Sequence, residues 1–162
     1  MKLHYIRVIL CILLAVGWCS CEEQKTWERV TEEFVLLYEK GQFEEAEAIA
    51  RERLDIAKVD RSEEKEKNIR IASAMFDLGN ALLAQNKCED ALKMYQTELD
   101  FAKKVFGEQS ADVASTLGMI GFCYYKMEDF TPALSFVHQS LDMYKKLMPE
   151  HISLIKVPVY VR

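Results

Sequence analysis

Residues 71–104 read IASAMFDLGNALLAQNKCEDALKMYQTELDFAKK, and the pattern of this stretch occurs twice in the chain. When Ala91 is set on Ala133, the two copies align without a gap at a spacing of 42 residues. Each copy has a glycine in its first half, Gly79 in one and Gly121 in the other. A fixed period of this length predicts a solenoid, in which each unit buries its apolar face against its neighbours.

A weaker copy of the pattern precedes these two, at residues 38–46. Ala46 lies 45 residues before Ala91, and Phe34 occupies the position of the repeated glycine. Divergent terminal repeats are expected in solenoids. The sequence therefore predicts three units, at about 27–60, 68–104 and 111–147.

Apolar residues recur at helical spacing through residues 27–148, which predicts an all-α domain. Gly41 predicts the turn between the first two helices. Pro132 is expected in the first turn of the last helix, where its missing N–H is tolerated. The charged run 59–68 is either a solvated connection or, in the favoured interpretation, the exposed first turns of the third helix, with Ser62 as its N-cap.

These features resemble tetratricopeptide repeats, in which a small residue lies midway along a first helix and an alanine lies early in a second. The long period and the segment FGEQSADVA at 106–114 are similar to the kinesin-light-chain variant of that family. The resemblance covers about residues 27–148 and implies a right-handed α-solenoid of about three helix-turn-helix repeats. Glycine costs about 1 kcal/mol in a helix interior, so we expect Gly79 and Gly121 to mark close helix crossings.

The N-terminus has the pattern of an export signal. Lys2 and Arg7 precede 14 uncharged residues, which are too few to span a bilayer comfortably. The sequence GWCSC at 17–21 resembles a bacterial lipoprotein box. That resemblance implies a signal peptide at 1–20, lipidation at Cys21, a short tether at 21–26, and an exported protein anchored at the periplasmic or outer surface of a bacterial membrane.

Two other fates of the N-terminus remain open at this point. Ala15 and Gly17 are small residues at the two positions that ordinary signal peptidase needs, so the chain could instead be cleaved after Gly17. The apolar segment could also stay in place as an uncleaved anchor. Stable attachment by acylation requires more than one lipid chain, which a lipidated Cys21 would supply.

Cys88 and Cys123 are the cysteines that lie beyond the signal region. No Cys-x-x-Cys spacing occurs, so no zinc site or thioredoxin-like motif is predicted. An exported compartment permits a disulfide between the two cysteines. Buried free thiols, packed as small apolar groups, are the favoured interpretation.

The sequence has no pattern of catalytic residues. It lacks HExxH, a Gly-rich phosphate loop and a nucleophile elbow. The net charge is −5, or −7 once Lys2 and Arg7 are removed, and no basic cluster predicts contact with a phosphate backbone. We therefore predict a protein that is not an enzyme, binds no nucleic acid and needs no metal or cofactor.

The resemblance implies a concave groove, lined by the first helix of each unit, that holds a peptide or helix of another protein. Counting from the aligned glycines gives the groove candidates Thr31, Val35, Tyr38, Ser73, Phe76, Asn80, Leu83, Ser115, Phe122, Tyr125 and Lys126. The aromatic residues among them are the expected anchors. Asn80 matches a clamp asparagine of family members that bind C-terminal carboxylates. Phe76 and Gly118 stand where those members have lysines, so we do not assign that activity.

Residues 149–162 begin an incomplete fourth unit, which Pro158 interrupts. A complete solenoid normally ends in a polar capping helix, so we expect the apolar edge of the third unit to be exposed. Either the chain is a truncated relative of a longer array, or this edge associates with another chain, including a second copy.

Two functions are consistent with these observations. The first is a protein-interaction module held at a bacterial membrane through lipidated Cys21. The alternative is a sensory or regulatory fragment of a signalling protein whose output domain is missing.

Overall fold

The computed structural model describes residues 26–148, and all regular secondary structure within that range is helical. The helices are α1 over residues 26–39, α2 Phe43–Val59, α3 Glu64–Ala84, α4 Cys88–Phe106, α5 Ala111–Lys126 and α6 Phe130–Leu147. The predicted all-α class is confirmed, and Pro132 lies in the first turn of α6 as expected. Between residues 26 and 148, no helix has the length and apolar character that crossing a membrane requires.

Several sequence predictions fall outside the described residues. These are the signal peptide 1–20, the lipidation of Cys21, most of the tether 21–26 and the incomplete fourth unit 149–162. Thr26, the last residue of the predicted tether, is helical.

The chain divides into two compact units, with the boundary between Ile71 and Ala72 inside α3. The first unit contains α1, α2 and the first turns of α3. The second unit contains the rest of α3 together with α4, α5 and α6.

The same turn closes all three helical hairpins. Its central residue has positive φ, at Gly41 (72°), Asn86 (61°) and Glu128 (63°). The residue that follows donates its backbone N–H to a carbonyl five residues back, over 3.0 Å in each case: Gln42 to Leu37, Lys87 to Leu82 and Asp129 to Tyr124. This bond, with a left-handed residue before its donor, is the Schellman helix ending. The central residues are 45 and 42 residues apart, so the sequence repeat is also a repeat of backbone geometry.

In the second unit, both hairpins cross too closely to admit a side chain on the first helix. A Cβ atom on Gly121 would lie 2.8 Å from Val137 Cγ2 and 3.1 Å from the carbonyl oxygen of Ala133. A Cβ atom on Gly79 would lie 2.5 Å from Tyr95 Cε1. The expected role of the two glycines, to let the second helix approach, is therefore confirmed.

The first unit keeps its hairpin with the large side chain on the other helix. Phe34, at the glycine position, is buried, and the Arg53 guanidinium of α2 lies 5.4 Å from its ring centroid. Ala50, which aligns with Tyr95 at the spacing of 45, is fully buried. The crossing thus has a bulky residue on α1 and a small one on α2, the reverse of the second unit.

The charged run forms the first turns of α3, as predicted, and the helix begins at Glu64. The prediction that Ser62 is the N-cap is wrong, because its N–H and Oγ both donate to the Asp60 carboxylate over 2.9 Å. Arg70 Nη1 donates to the same carboxylate over 2.9 Å. Burial alone would raise the pKa of Asp60, but the bonds from Ser62 and the Arg70 charge outweigh it and lower that pKa. This network fixes where α3 starts.

Gly121→Ala is expected to lower the free energy of unfolding by about 1–3 kcal/mol, because the added methyl group overpacks the crossing of α5 and α6. Gly118→Ala is the matched control on the same helix, where the new Cβ would meet the Ser140 side chain, with Oγ at 3.2 Å. Alanine is also the better helix former by about 1 kcal/mol, whereas Ser140 is held by its bond to the Ala114 carbonyl, so the control is expected to lose less stability than Gly121→Ala. Urea denaturation followed by circular dichroism measures both variants. A Gly121→Ala protein as stable as wild type would contradict the close crossing.

Candidate functional site

The groove candidates of the first unit lie on α1. Val35 is exposed, whereas Thr31 and Tyr38 are half-buried. The Tyr38 ring packs against Phe34, with centroids 5.7 Å apart, and against Phe43 at 5.3 Å. Tyr38 therefore contributes to the packing of its own hairpin, and Val35, which is 46% exposed, is the more accessible apolar candidate of this helix.

On α3, the candidates Phe76 and Asn80 are half-buried and share one supporting side chain, Tyr95 of α4. The Tyr95 hydroxyl donates to Asn80 Oδ1 over 2.7 Å, and its ring meets the Phe76 ring edge-on at 5.7 Å. Tyr95 is itself fully buried and lies over Gly79. The sequence did not predict this supporting role, because the alanine of the second helix, Ala91, was the residue expected to face Gly79, whereas Tyr95 lies there.

The other α3 candidates differ sharply in exposure. Ser73 is exposed, but Leu83 is only 8% exposed and belongs to the core. The expectation that Leu83 offers contact surface to a peptide is therefore corrected. Leu83 follows the core residues Leu78, Ala81 and Leu82, and helical spacing alone did not show that it belongs with them.

On α5 and α6 three aromatic side chains lie in contact on the surface. Phe122 and Tyr125 stack with centroids 6.1 Å apart, and Tyr125 meets Phe130 edge-on at 6.0 Å. Their exposed fractions are 45%, 58% and 60%. We call Phe122, Tyr125 and Phe130 the aromatic cluster. Lys126 is exposed next to Tyr125 at the end of α5, and Ser115 is half-buried near its start.

The aromatic cluster is not needed for the core of its own unit. The core face of α5 is formed by Val113, Leu117 and Ile120, which are all buried. Phe122 and Tyr125 project from other positions on the helix. Phe130 was not among the sequence candidates, because the groove was expected on first helices and Phe130 opens a second helix.

A buried polar contact joins α4 to α5. Glu98 is 2% exposed, and its Oε2 lies within hydrogen-bond distance of Thr116 Oγ1. Thr116 Oγ1 also lies 2.9 Å from the carbonyl oxygen of Asp112. A hydroxyl carries one proton, so it cannot donate to both oxygens. Both contacts form together only when Glu98 is protonated and donates to Thr116.

Burial raises the pKa of Glu98 to about 7, with the Thr116 hydrogen bond opposing the rise and the Asp112 charge adding to it. A carboxyl group that is neutral through the mildly acidic range fits the geometry of the Thr116 contact. This pair is a helix-packing contact, since it joins α4 to α5 through buried side chains.

The two cysteines of the domain are free and buried, as predicted. Burial raises the pKa of Cys123 to about 12, and the neighbouring Cys88 adds to the rise. A thiol with such a raised pKa is almost entirely protonated at neutral pH, so it is a poor nucleophile and a poor metal ligand. Between residues 26 and 148, no group of three or more His, Cys, Asp or Glu side chains could hold a metal ion.

Glu98→Gln is expected to change how stability depends on pH. Between pH 4.5, the ordinary pKa, and about 7, the folded protein holds a proton that the unfolded chain releases, so stability falls as pH rises through this window. Glutamine stays neutral, so the variant should gain on the order of 3 kcal/mol over wild type across that window. Urea unfolding at a series of pH values measures the difference. Glu89→Gln, on an exposed part of α4, is the control, and an identical pH profile for Glu98→Gln and wild type would refute the assignment.

Comparisons with known proteins agree with this architecture. Residues 70–146 match the family model of the tetratricopeptide repeat. BtubC (BKLC) from P. vanneervenii superposes with a TM-score of 0.62 and 19% identity, over 74% of this chain and 46% of BtubC. This chain therefore spans less than half the length of BtubC. The tetratricopeptide repeat domain of Arabidopsis FLU superposes with a TM-score of 0.65 and 16% identity, over 76% of this chain and 98% of that domain.

A comparison with functionally curated proteins finds no significant match. At the identities above, the structural matches show the fold, and the repeat match over residues 70–146 indicates an interaction module. The fold is therefore that of a tetratricopeptide repeat domain, which is generally a non-catalytic scaffold for protein–protein interaction.

Proposed function

We propose that this chain is a non-catalytic interaction module that binds a peptide or helix of another protein on the surface formed by α3, α5 and the start of α6. The observation that carries the proposal is the aromatic cluster, in which Tyr125 contacts both Phe122 and Phe130 and each ring is 45–60% exposed. Contiguous exposed apolar surface marks interaction sites. Aromatic side chains are also enriched among the residues that dominate binding energy.

The contacts around Tyr95 support a pre-formed binding surface on α3. Phe76 and Asn80 are both held from behind by this buried side chain. A side chain that is already fixed loses little conformational entropy when a ligand binds. The Asn80 amide also carries N–H donors that can bind the backbone carbonyl of an extended peptide.

These surfaces favour a particular partner chemistry. The aromatic cluster fits a large apolar side chain, and Lys126, which is exposed at the end of the same helix α5, is a cation that pairs with an acidic group. We infer that the bound segment has an apolar anchor followed within a few residues by a carboxylate. A pair of opposite charges across an interface fixes the position of a peptide along its binding surface more than it adds affinity.

The test is selection of binders from a random-peptide display library on the purified protein, followed by titration of the selected peptides against variants. Tyr125→Ala and Phe122→Ala are each expected to weaken binding at least tenfold, as anchor residues do. Val59→Ala, an exposed apolar residue on α2, is the control and should bind as wild type. Selected peptides that bind all variants equally would place the binding surface elsewhere.

We further infer that the module is exported and held at a bacterial membrane by lipid on Cys21. The support is the sequence alone: the charged start, the uncharged 14-residue segment and the GWCSC box. A lipid anchor would hold the binding surface outside the cytoplasm and restrict its partners to envelope proteins.

Intact-mass spectrometry of the protein from its native cells tests the anchor, with Cys21→Ala beside wild type. We expect a chain that starts at Cys21 and carries added lipid mass, and we expect that mass to be lost in the variant. A chain that starts at Trp18 would indicate a soluble exported module. A chain that starts at Met1 would refute lipidation and favour the regulatory fragment.

A further inference from the structure

We propose that Cys88 and Cys123 are a redox-active pair, which a disulfide-bonded donor converts into an intramolecular disulfide between α4 and α5. Both thiols are free and buried, so the structure is that of the reduced form. Peptide binding does not require the bond, and the inference therefore goes beyond the proposed function.

The two cysteines lie on facing sides of neighbouring helices. Cys88 is the first residue of α4, Cys123 lies near the end of α5, and these two helices pack together. Cys88 lines a surface cavity together with Lys126 and Met127 of α5. Those two residues follow Cys123 by three and four positions, the spacing at which helix residues share one side. Cys88 thus meets the side of α5 that carries Cys123, and it is the neighbour that adds to the raised pKa of Cys123.

The repeat shows that the fold does not require a cysteine at either position. Cys88 opens the second helix of its hairpin, and the residues that open the second helices of the other two hairpins are Phe43 and Phe130. The residue 42 positions before Cys123 is Ala81, which is fully buried. Both cysteines therefore depart from the repeat, and they do so at positions that face each other.

The cavity gives a donor access to one thiol of the pair. Its volume is about 410 Å³, and Cys88, which is 9% exposed, forms part of its wall. Cys123 is fully buried. The donor therefore reacts first with Cys88, and Cys123 completes the bond from inside the protein.

The reaction consists of two successive thiol–disulfide exchanges. Cys88 Sγ, as the thiolate, attacks one sulfur of the donor disulfide, which releases one donor thiolate and leaves a mixed disulfide. Cys123 Sγ then attacks Cys88 Sγ, and the second donor thiolate leaves. The donor gains two electrons and takes up the two cysteine protons. Because burial raises the pKa of Cys123 to about 12, the second exchange is the slower step.

The bond would connect the helices that form the two parts of the proposed peptide surface. Tyr95 of α4 supports Phe76 and Asn80, whereas Cys123 of α5 directly follows Phe122 of the aromatic cluster. Linking α4 to α5 limits the motion between these parts, so a peptide loses less entropy when it binds. We therefore expect oxidation to tighten peptide binding, a consequence that rests on the proposed function.

Tryptic mapping of the full chain in detergent tests the bond. The reduced protein is incubated with excess oxidised glutathione, the remaining thiols are alkylated, and the protein is digested without reduction. Cys88 and Cys123 then lie on the separate peptides 88–93 and 105–126, apart from the cysteines of the N-terminus. We expect these two peptides to be linked, with a mass two hydrogens below their sum, and to separate on treatment with dithiothreitol.

Two single variants establish the order of the reaction. Cys123→Ala, which introduces the residue of the preceding repeat, should stop at a stable glutathione adduct on Cys88. Cys88→Ala should keep a free thiol at Cys123. Circular dichroism establishes that both variants are folded. Wild-type protein that retains a glutathione adduct on Cys88 beside a free Cys123 would overturn the proposal, and so would wild-type protein in which both thiols are alkylated.

Thermal unfolding and peptide titration measure the consequences of the bond. A disulfide restricts the unfolded chain, so oxidised wild type is expected to unfold about 10 °C above the reduced protein, and Cys123→Ala should show no such rise. Peptides selected on the reduced protein are expected to bind the oxidised form about fivefold more tightly or better. Equal affinity would overturn the coupling to peptide binding. The tryptic map requires no peptide ligand, so the bond and the proposed function fail separately.

Discussion

The close crossing of the two helices in each hairpin is the constraint on which the second unit depends. Where Gly79 and Gly121 remove a side chain from the first helix, Tyr95 and Val137 of the second helix move into its space. That approach brings the Tyr95 hydroxyl to Asn80 and its ring to Phe76. The packing of Tyr95 over Gly79 and its support of Phe76 and Asn80 therefore have the same cause, the close crossing of the two helices. Since interiors are close-packed, neither Gly79 nor Gly121 can be replaced by a residue with a side chain unless a helix moves.

Successive helices in the second unit are also joined by buried polar contacts. Thr116 meets the Glu98 carboxyl group from α5, and Ser140 Oγ of α6 donates to the carbonyl of Ala114 over 2.6 Å. Apolar faces tolerate sliding by part of a turn, whereas a buried polar group loses its partner if it slides. These contacts fix the register of the stack. The buried Glu98 carboxyl group also lowers the stability of the folded protein, and this cost grows as the pH rises toward the raised pKa of Glu98.

The sequence was sufficient to predict the fold, because the 42-residue period carries both the glycine crossings and the turns. It was not sufficient for the contacts that involve residues distant in the chain. Ser62 matched an N-cap pattern, but Arg70 and Asp60, ten residues apart, decide the start of α3. Leu83 and Phe130 were misjudged for a related reason. Periodicity tells which positions are apolar, while their exposure depends on which neighbouring helix covers them.

The exposed apolar surface of α6 follows from this dependence of exposure on the neighbouring helices. A helix that packs on one side only is polar on the other, and large exposed apolar surfaces lower solubility. Leu134 and Leu141 of α6 are 59% and 47% exposed. The residues 42 positions earlier on α4, Leu92 and Leu99, are half-buried and buried. The same repeat position is therefore core in one second helix and surface in the other, because only α4 has a further described helix, α5, packed against it.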